Sequence, residues 1–259
     1  MIGRISEVIR YRELIRNLVA RDLKVRYRNS VLGFVWCLGN PLLMMTVFTV
    51  VFTILMPNSI EKYPVFILCA LLPWNFFSTA VMESVRSIVG NAHLIKKVYF
   101  PREVLPLSVV LSNLVNFLLA LIVLFVMLLV FRVSLTPWAL LLPAIIFIQV
   151  LFTLGLAFIL STLNVFYRDT GIIMEAVMLA WFFLTPVFYQ VEDLVPHYAR
   201  LMYWVNPMAS LISSYRIILY HGAPPAFDFL FRTLITALAF LILGYLFFAH
   251  YSRVFGEEV

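Results

Sequence analysis

The chain has 259 residues, 63% of them hydrophobic and only 12% charged, and its mean hydropathy is +1.00. A soluble domain of that length needs more polar surface than this to cover its outside, so the composition excludes a water-soluble globular protein and makes lipid the solvent. The net charge of +6 is accounted for by a one-sided distribution of lysine and arginine across a membrane, and it implies no nucleic-acid partner.

Residues 1–30 form a cytoplasmic segment and residues 31–259 a membrane domain. In residues 5–23, Ile5, Val8, Ile9, Tyr11, Leu14, Ile15, Leu18 and Val19 recur at helical spacing, and arginines fill most of the other face. This pattern predicts a basic amphipathic helix lying along the cytoplasmic interface. It serves as a lipid-surface anchor, as a contact for a partner, or as both. The stretch "RDLKVRYRNSVLGFVWCLGNPLL", residues 21–43, then runs from cations straight into an apolar segment. Arg21, Lys24, Arg26 and Arg28 hold the start of the first span at the cytoplasmic face. Leu32-Gly33 permits a sharp entry into the membrane, and Asn40-Pro41 frees backbone groups that a neighbouring helix or a wet channel must satisfy.

A spanning helix needs about 20 apolar residues. Six segments meet or approach that: 31–56, 64–82, 107–131, 138–163, 172–190 and 229–251. The expected fold is an all-α membrane protein with six transmembrane helices. A cleaved signal peptide is not expected, because polar and basic residues precede the first apolar run and no small-residue cleavage site follows a short core. With both termini inside, fourteen of the 19 lysines and arginines lie on the cytoplasmic side and five outside. The positive-inside rule therefore selects cytoplasmic N and C termini.

The cytoplasmic loop 83–106 is longer than a simple link between helices requires. Asn91 as a cap and Pro101 as a stop delimit a short helix over Asn91–Phe100, with Leu94, Ile95, Val98 and Tyr99 on one face. Such a helix docks on a partner or packs beneath its own membrane domain. Within the spans, Ser112, Asn113, Asn116, Gln149 and Gly155 read as contacts joining helices. Glu175 stands apart, because an acidic side chain deep in a bilayer costs about 2.5–3.5 kcal/mol. It pairs with Arg168 or reaches water, and is a candidate for gating or a subunit contact.

The external stretch 191–228 is too apolar for a solvated loop, yet Asn206-Pro207 divides it into pieces too short to cross. It is a re-entrant lid shielded by protein or a wet cavity, or an interfacial hairpin with Tyr198, Tyr203 and Trp204 at headgroup depth. Aromatic residues make up 16% of the chain. Interfacial belts and packing account for them, as does stacking on the apolar faces of sugar rings.

Several chemistries find no support. Cys37 and Cys69 lie within apolar segments, where cysteine behaves as a small hydrophobe. His93, His197, His221 and His250 have no metal-ligand spacing. No catalytic residue and no metal site is predicted, and no P-loop is present, so any ATP must be bound by another chain. A membrane-embedded glycosyl or prenyl transferase would need clustered acids to hold a metal and a diphosphate, whereas the Glu192-Asp193 pair lies outside. An ion-coupled carrier would show repeats and ionisable residues at the midplane.

Six motifs in one order, "RDLKVRYRNSVLGFVWCLGNPL", "LLPWNFFS", "NAHLIKKVYFPREVLPL", "LNVFYRD", "LTPVFY" and "WVNPMASLISSYR", resemble the permease subunit of type-2 ABC exporters. Members of that family move O-antigen, capsular polysaccharide or teichoic acid across the bacterial inner membrane. The resemblance implies a homodimer forming the channel, two ATP-binding cassette subunits carrying ATP and magnesium, and a lipid-linked glycan substrate. It assigns coupling to Asn91, His93, Leu94, Ile95, Lys96, Lys97, Val98, Tyr99, Phe100 and Pro101. The helix junction falls to Arg26, Arg28, Leu32 and Gly33. Gate helices would include Tyr198, Tyr203, Trp204, Asn206 and Pro207, and Trp36, Trp74, Phe76, Phe77, Trp181 and Tyr189 become candidates for stacking on sugars.

Overall fold

A computed structural model of the chain describes residues 10–27, 36–55, 60–190 and 199–258. Among them the regular structure is entirely helical. The expected junction residues Arg28, Leu32 and Gly33, the gate residue Tyr198, and Ile5, Val8 and Ile9 of the amphipathic helix lie outside the described residues.

Among the described residues, eleven α-helices follow in chain order. They are α1 (Arg12–Tyr27), α2 (Trp36–Val50), α3 (Tyr63–Val85), α4 (Ala92–Lys97), α5 (Val104–Val130) and α6 (Leu142–Phe166), then α7 (Thr170–Phe183), α8 (Ala199–Val205), α9 (Pro207–Arg216), α10 (Phe227–Tyr251) and α11 (Phe255–Glu258). Single π-helical turns extend α2 through Leu55 and α9 through His221, and a 3-10 turn over Pro137–Leu141 leads into α6.

Among the described residues, five of the apolar stretches are long enough to cross a bilayer: Leu38–Leu55, Tyr63–Val85, Val104–Val130, Pro137–Phe166 and Phe227–Tyr251. The remaining expected span, 172–190, the fifth in chain order, takes a different form. Its helix α7 has 14 residues, about 21 Å of rise against a hydrocarbon core of about 30 Å. Pro186 explains the early end, since the residue before a proline is disfavoured in the helical conformation. The Thr185 hydroxyl turns back onto the Trp181 carbonyl at 2.7 Å, and the chain leaves the helix with its carbonyls unused by helical bonds.

The helix α3 is the hub. It is largely apolar and buried along most of its length, as expected of a helix whose polar residues are confined to its second half. By contrast α2 leaves Leu43, Met44, Val47, Ile54 and Leu55 exposed. The most extensive helix pairing joins α6 and α10, where Gly155 meets Gly244 backbone to backbone. A Cβ at Gly155 would lie 2.5 Å from the Phe240 carbonyl carbon, and one at Gly244 would overlap the Gly155 carbonyl oxygen. Small residues permit such close approach in membrane helices. Phe152 packs on Phe240, Phe158 on Phe248 and Phe166 on Tyr251, so α6 and α10 run parallel. The chain between them therefore returns to the side from which α6 began.

A second apolar cluster sits at the other end of the molecule from α8 and α9. Leu18 of α1, Ile95 of α4, Val104 and Leu105 of α5, Phe248 of α10 and Phe255 of α11 form it, with Tyr11, Leu14 and Ile15 against its edge. The described part of the amphipathic helix thus spends its apolar stripe on protein.

Candidate functional site

The predicted short helix in loop 83–106 is present but smaller than expected. It covers Ala92–Lys97, and Val98 is already extended. Asn91 stands at the cap position without capping, which corrects the sequence expectation. Its amide instead donates to the Ser87 carbonyl at 2.8 Å, and its oxygen accepts from Arg21 of α1 at 3.2 Å. The expected single apolar face divides: Ile95 and Phe100 enter the second cluster with Leu94 at its edge, whereas Val98 and Tyr99 are 56% and 85% exposed. His93, Lys96 and Lys97 are exposed. A groove of about 430 Å³ runs along the segment from Ile95 through Pro101 to Arg102, closed on one side by Ser252 and Arg253. The result is a basic ledge with two exposed apolar side chains, welded from beneath to the ends of α5 and α10.

Beside this ledge, α1 is tied to the membrane helices. The Arg26 guanidinium donates to both Glu83 oxygens at 2.6 Å and to the Asn113 oxygen at 3.0 Å, and the Asn113 amide closes the triangle to Glu83 at 2.7 Å. Glu83 is two residues from the end of α3, and Asn113 lies in the third turn of α5.

At the opposite end, α7, α8 and α9 build a cap. Asn206 is its centre. Its side-chain oxygen accepts from the Met208 and Ala209 backbone N–H groups at the start of α9 and from the Trp181 indole at 2.9 Å, while its amide donates to Leu184 and Thr185. This is an N-cap that also staples α9 to the unwound end of α7, and Pro207 takes the first helical position, where its missing N–H costs nothing. The carbonyls of Tyr203 and Trp204 accept from the Arg232 guanidinium of α10, which also lies 4.8 Å from the Trp204 ring.

The strongest anchor of the cap is Arg216, only 6% exposed. Its guanidinium donates to the carbonyls of Pro186 and Val187 at 2.5 Å each and of Tyr189 at 3.2 Å. It also stacks 3.6 Å from the centre of the Phe66 ring. Among the sequence expectations Arg216 is only one of the five lysines and arginines assigned to the outside. Its signal was its setting, a lone cation within "SLISSYRIILY". Next to it, the Tyr215 hydroxyl donates to Gln149, whose amide donates to the Pro73 carbonyl, both at 2.7 Å. Gln149 therefore joins α6, α9 and α3.

A family profile of ABC-2 type transporters matches residues 13–220. The chain is also 42% identical over 228 residues to the O-antigen export system permease protein RfbA of Myxococcus xanthus, covering 87% of this chain and 88% of that one. Two such permeases named RfbA from Klebsiella pneumoniae are 37% and 34% identical, covering 81% and 95% of this chain and 81% and 94% of theirs. The chain belongs to the ABC-2 type transporter family.

In this ABC-2 type permease the aromatic candidates separate into two groups. Phe77 is fully buried and stacks on Phe152, Trp74 packs between Phe77 and Phe182, and Trp181 lies against Phe77 and Phe152 with its N–H on Asn206. Tyr189 is half-buried, its hydroxyl on the Phe183 carbonyl. Trp36 is 40% exposed and faces a cleft that Phe76 also lines. Glu175 is well exposed, and its near cation is Arg86 at 3.9 Å rather than Arg168. Arg168 reaches the Glu258 carbonyl at 3.3 Å instead.

Proposed function

We propose that this chain is the membrane-spanning subunit of an ATP-driven exporter that moves a lipid-linked polysaccharide of the O-antigen type across the bacterial inner membrane. The observation that carries the reading is extended identity, over most of both chains, to permeases named for O-antigen export. Two copies form the channel, and the exposed apolar faces of α2 and α7 are suited to meet there. Two ATP-binding cassette subunits, which hold the ATP and magnesium, dock at the Lys96–Tyr99 ledge and along α1. The chain crosses six times with both termini cytoplasmic: α7 completes the fifth crossing together with the turn after it. The parallel course of α6 and α10, the contact of Arg168 with Glu258, and the clustering of cations at one end support that topology.

The mechanism follows from the weld beneath the ledge. Movement of the ATPase shifts α4, and Ile95 and Phe100 pass that shift to the cytoplasmic ends of α5 and α10 through packed side chains. The path between the two copies opens, the cap of α8 and α9 with Tyr203, Trp204, Asn206 and Pro207 gives way outside, and the glycan is extruded. Trp36 is the ring best exposed for sugar stacking, and the Glu175–Arg86 pair lies where α7 can shift against α3.

Reconstitution tests this. Vesicles containing the permease with its ATPase partner should translocate lipid-linked glycan in an ATP-dependent manner, and cells lacking the gene should accumulate that glycan on the inner leaflet. Translocation by the permease alone would overturn the reading.

A further inference from the structure

A cleft of about 450 Å³ opens among α1, α2, α3 and α5, with no lining residue from the cap or from α7. That size falls within the range of about 300–1,000 Å³ common to small-ligand sites. Asn75, Thr79 and Glu83 follow one another at four-residue intervals, which places a polar stripe along one face of α3. Asn113 faces the stripe from α5, and Asn40 and Trp36 complete the wall from α2. Among the described residues, no hydrogen bond within the protein engages the side chains of Asn40, Asn75 or Thr79. Such groups are costly in a membrane domain unless something polar meets them.

The chemistry of the wall selects among ligands. Among the described residues, the charges lining the cleft are Arg26 and Glu83, and these are spent on each other. Side-chain amides donate and accept at once, which matches hydroxyl groups that do the same. Trp36 adds an exposed ring against which the apolar face of a pyranose can lie. We propose that this cleft is a binding site for sugar hydroxyls, one per protomer, on the cytoplasmic side of the membrane domain. The proposal rests on the exporter reading for its biological ligand. The sugar comes from the exported glycan itself or from the headgroup of a resident membrane glycolipid.

The test uses the permease–ATPase complex in phospholipid nanodiscs. A maleimide reports on Asn75→Cys in a Cys37→Ser background, Cys69 being buried. Lipid-linked glycan extracted from exporter-deficient cells should slow labelling about fivefold when present at several times its dissociation constant, and the sugar-free carrier lipid should not. Asn75→Ala with Thr79→Val should raise the glycan concentration for half-maximal ATPase stimulation about tenfold, the worth of one or two hydrogen bonds, and Asn75→Gln with Thr79→Ser should recover most of it. Protection by a glucosyl diacylglycerol but not by the extracted glycan assigns the site to a resident glycolipid and still supports sugar binding. Equal labelling with and without both sugars, or protection by the sugar-free carrier, overturns the proposal. A wild-type complex that never exports glycan defeats the exporter reading instead, and the labelling result then stands by itself.

Discussion

Two arginines hold the ends of this molecule in opposite ways. Arg216 is buried in the cap and satisfied by neutral carbonyls and an aromatic face. Arg26, at the other end, meets a carboxylate, and the two side chains remain 29% and 41% exposed. A buried cation whose donors all find acceptors cannot leave without stranding both itself and its partners. An exposed ion pair gains little and is exchanged for water at little cost. The cap is therefore fastened, and the tie between α1 and the membrane helices is one that can open and close.

The sharpest way to break this contrast is Arg216→Met. The unwound turn would be left with three carbonyls, those of Pro186, Val187 and Tyr189, deprived of a donor. At about 1–3 kcal/mol for each buried orphan, loss of thermal stability in detergent and loss of export are both expected. Arg216→Lys should recover only part, because an ammonium lacks the planar fork that reaches two carbonyls at once. A Met variant with wild-type melting temperature would show that the cap is not pinned there.

Next comes Asn206→Ala, which removes the α9 cap and the staple to Trp181 and Thr185 together. A lost N-cap costs about 0.5–2 kcal/mol, so the variant should fold with a lowered melting temperature. Faster proteolysis or labelling of the region around Tyr203 would register the loosened cap, and unchanged protection would count against the staple.

How much of this was visible in the sequence differs between the two ends. Apolar runs of sufficient length have one solution in lipid, which is why four stretches appear within three residues of their expected limits and the first ends within one residue of its expected end. The fifth expected helix ran too far because Val187, Phe188 and Tyr189 continue the apolarity after Pro186 has ended the helix. In loop 83–106 the punctuation at Asn91 and Pro101 located α4, but a side chain's choice between capping and a neighbour 70 residues away cannot be read from local order. The same holds for Arg26 with Glu83 and for Arg216 with the 186–189 turn. Charge counting treats both arginines as topology markers, and only the fold shows that one is buried and the other is not.

On the exposed side of the contrast, Glu83→Gln should change stability by about 0.2–1 kcal/mol at most, yet it should alter transport. The double exchange Arg26→Glu with Glu83→Arg should restore export lost in either single variant if pairing is what matters. Raising the salt concentration should weaken the wild-type tie and leave Glu83→Gln indifferent, because ions screen an exposed pair. Export that responds equally to salt in both would separate the pair from transport.

The smallest effect on stability and the clearest effect on coupling should come from Tyr99→Ala. At 85% exposure the ring has almost nothing to lose on unfolding, so the melting temperature of the isolated permease should hold to within the scatter of surface substitutions, about 0.5 kcal/mol. If the ledge receives the ATPase, the ring becomes buried there, and truncating an aromatic anchor at an interface commonly costs about 2 kcal/mol or more. Titration of the permease with its ATPase partner should then show weakened association with no change in the permease itself. His93→Ala, also exposed but without an apolar ring-sized face, should weaken association less. Equal association of wild type and Tyr99→Ala would move the docking surface off this ledge, while leaving the weld of Ile95 and Phe100 to the ends of α5 and α10 untouched.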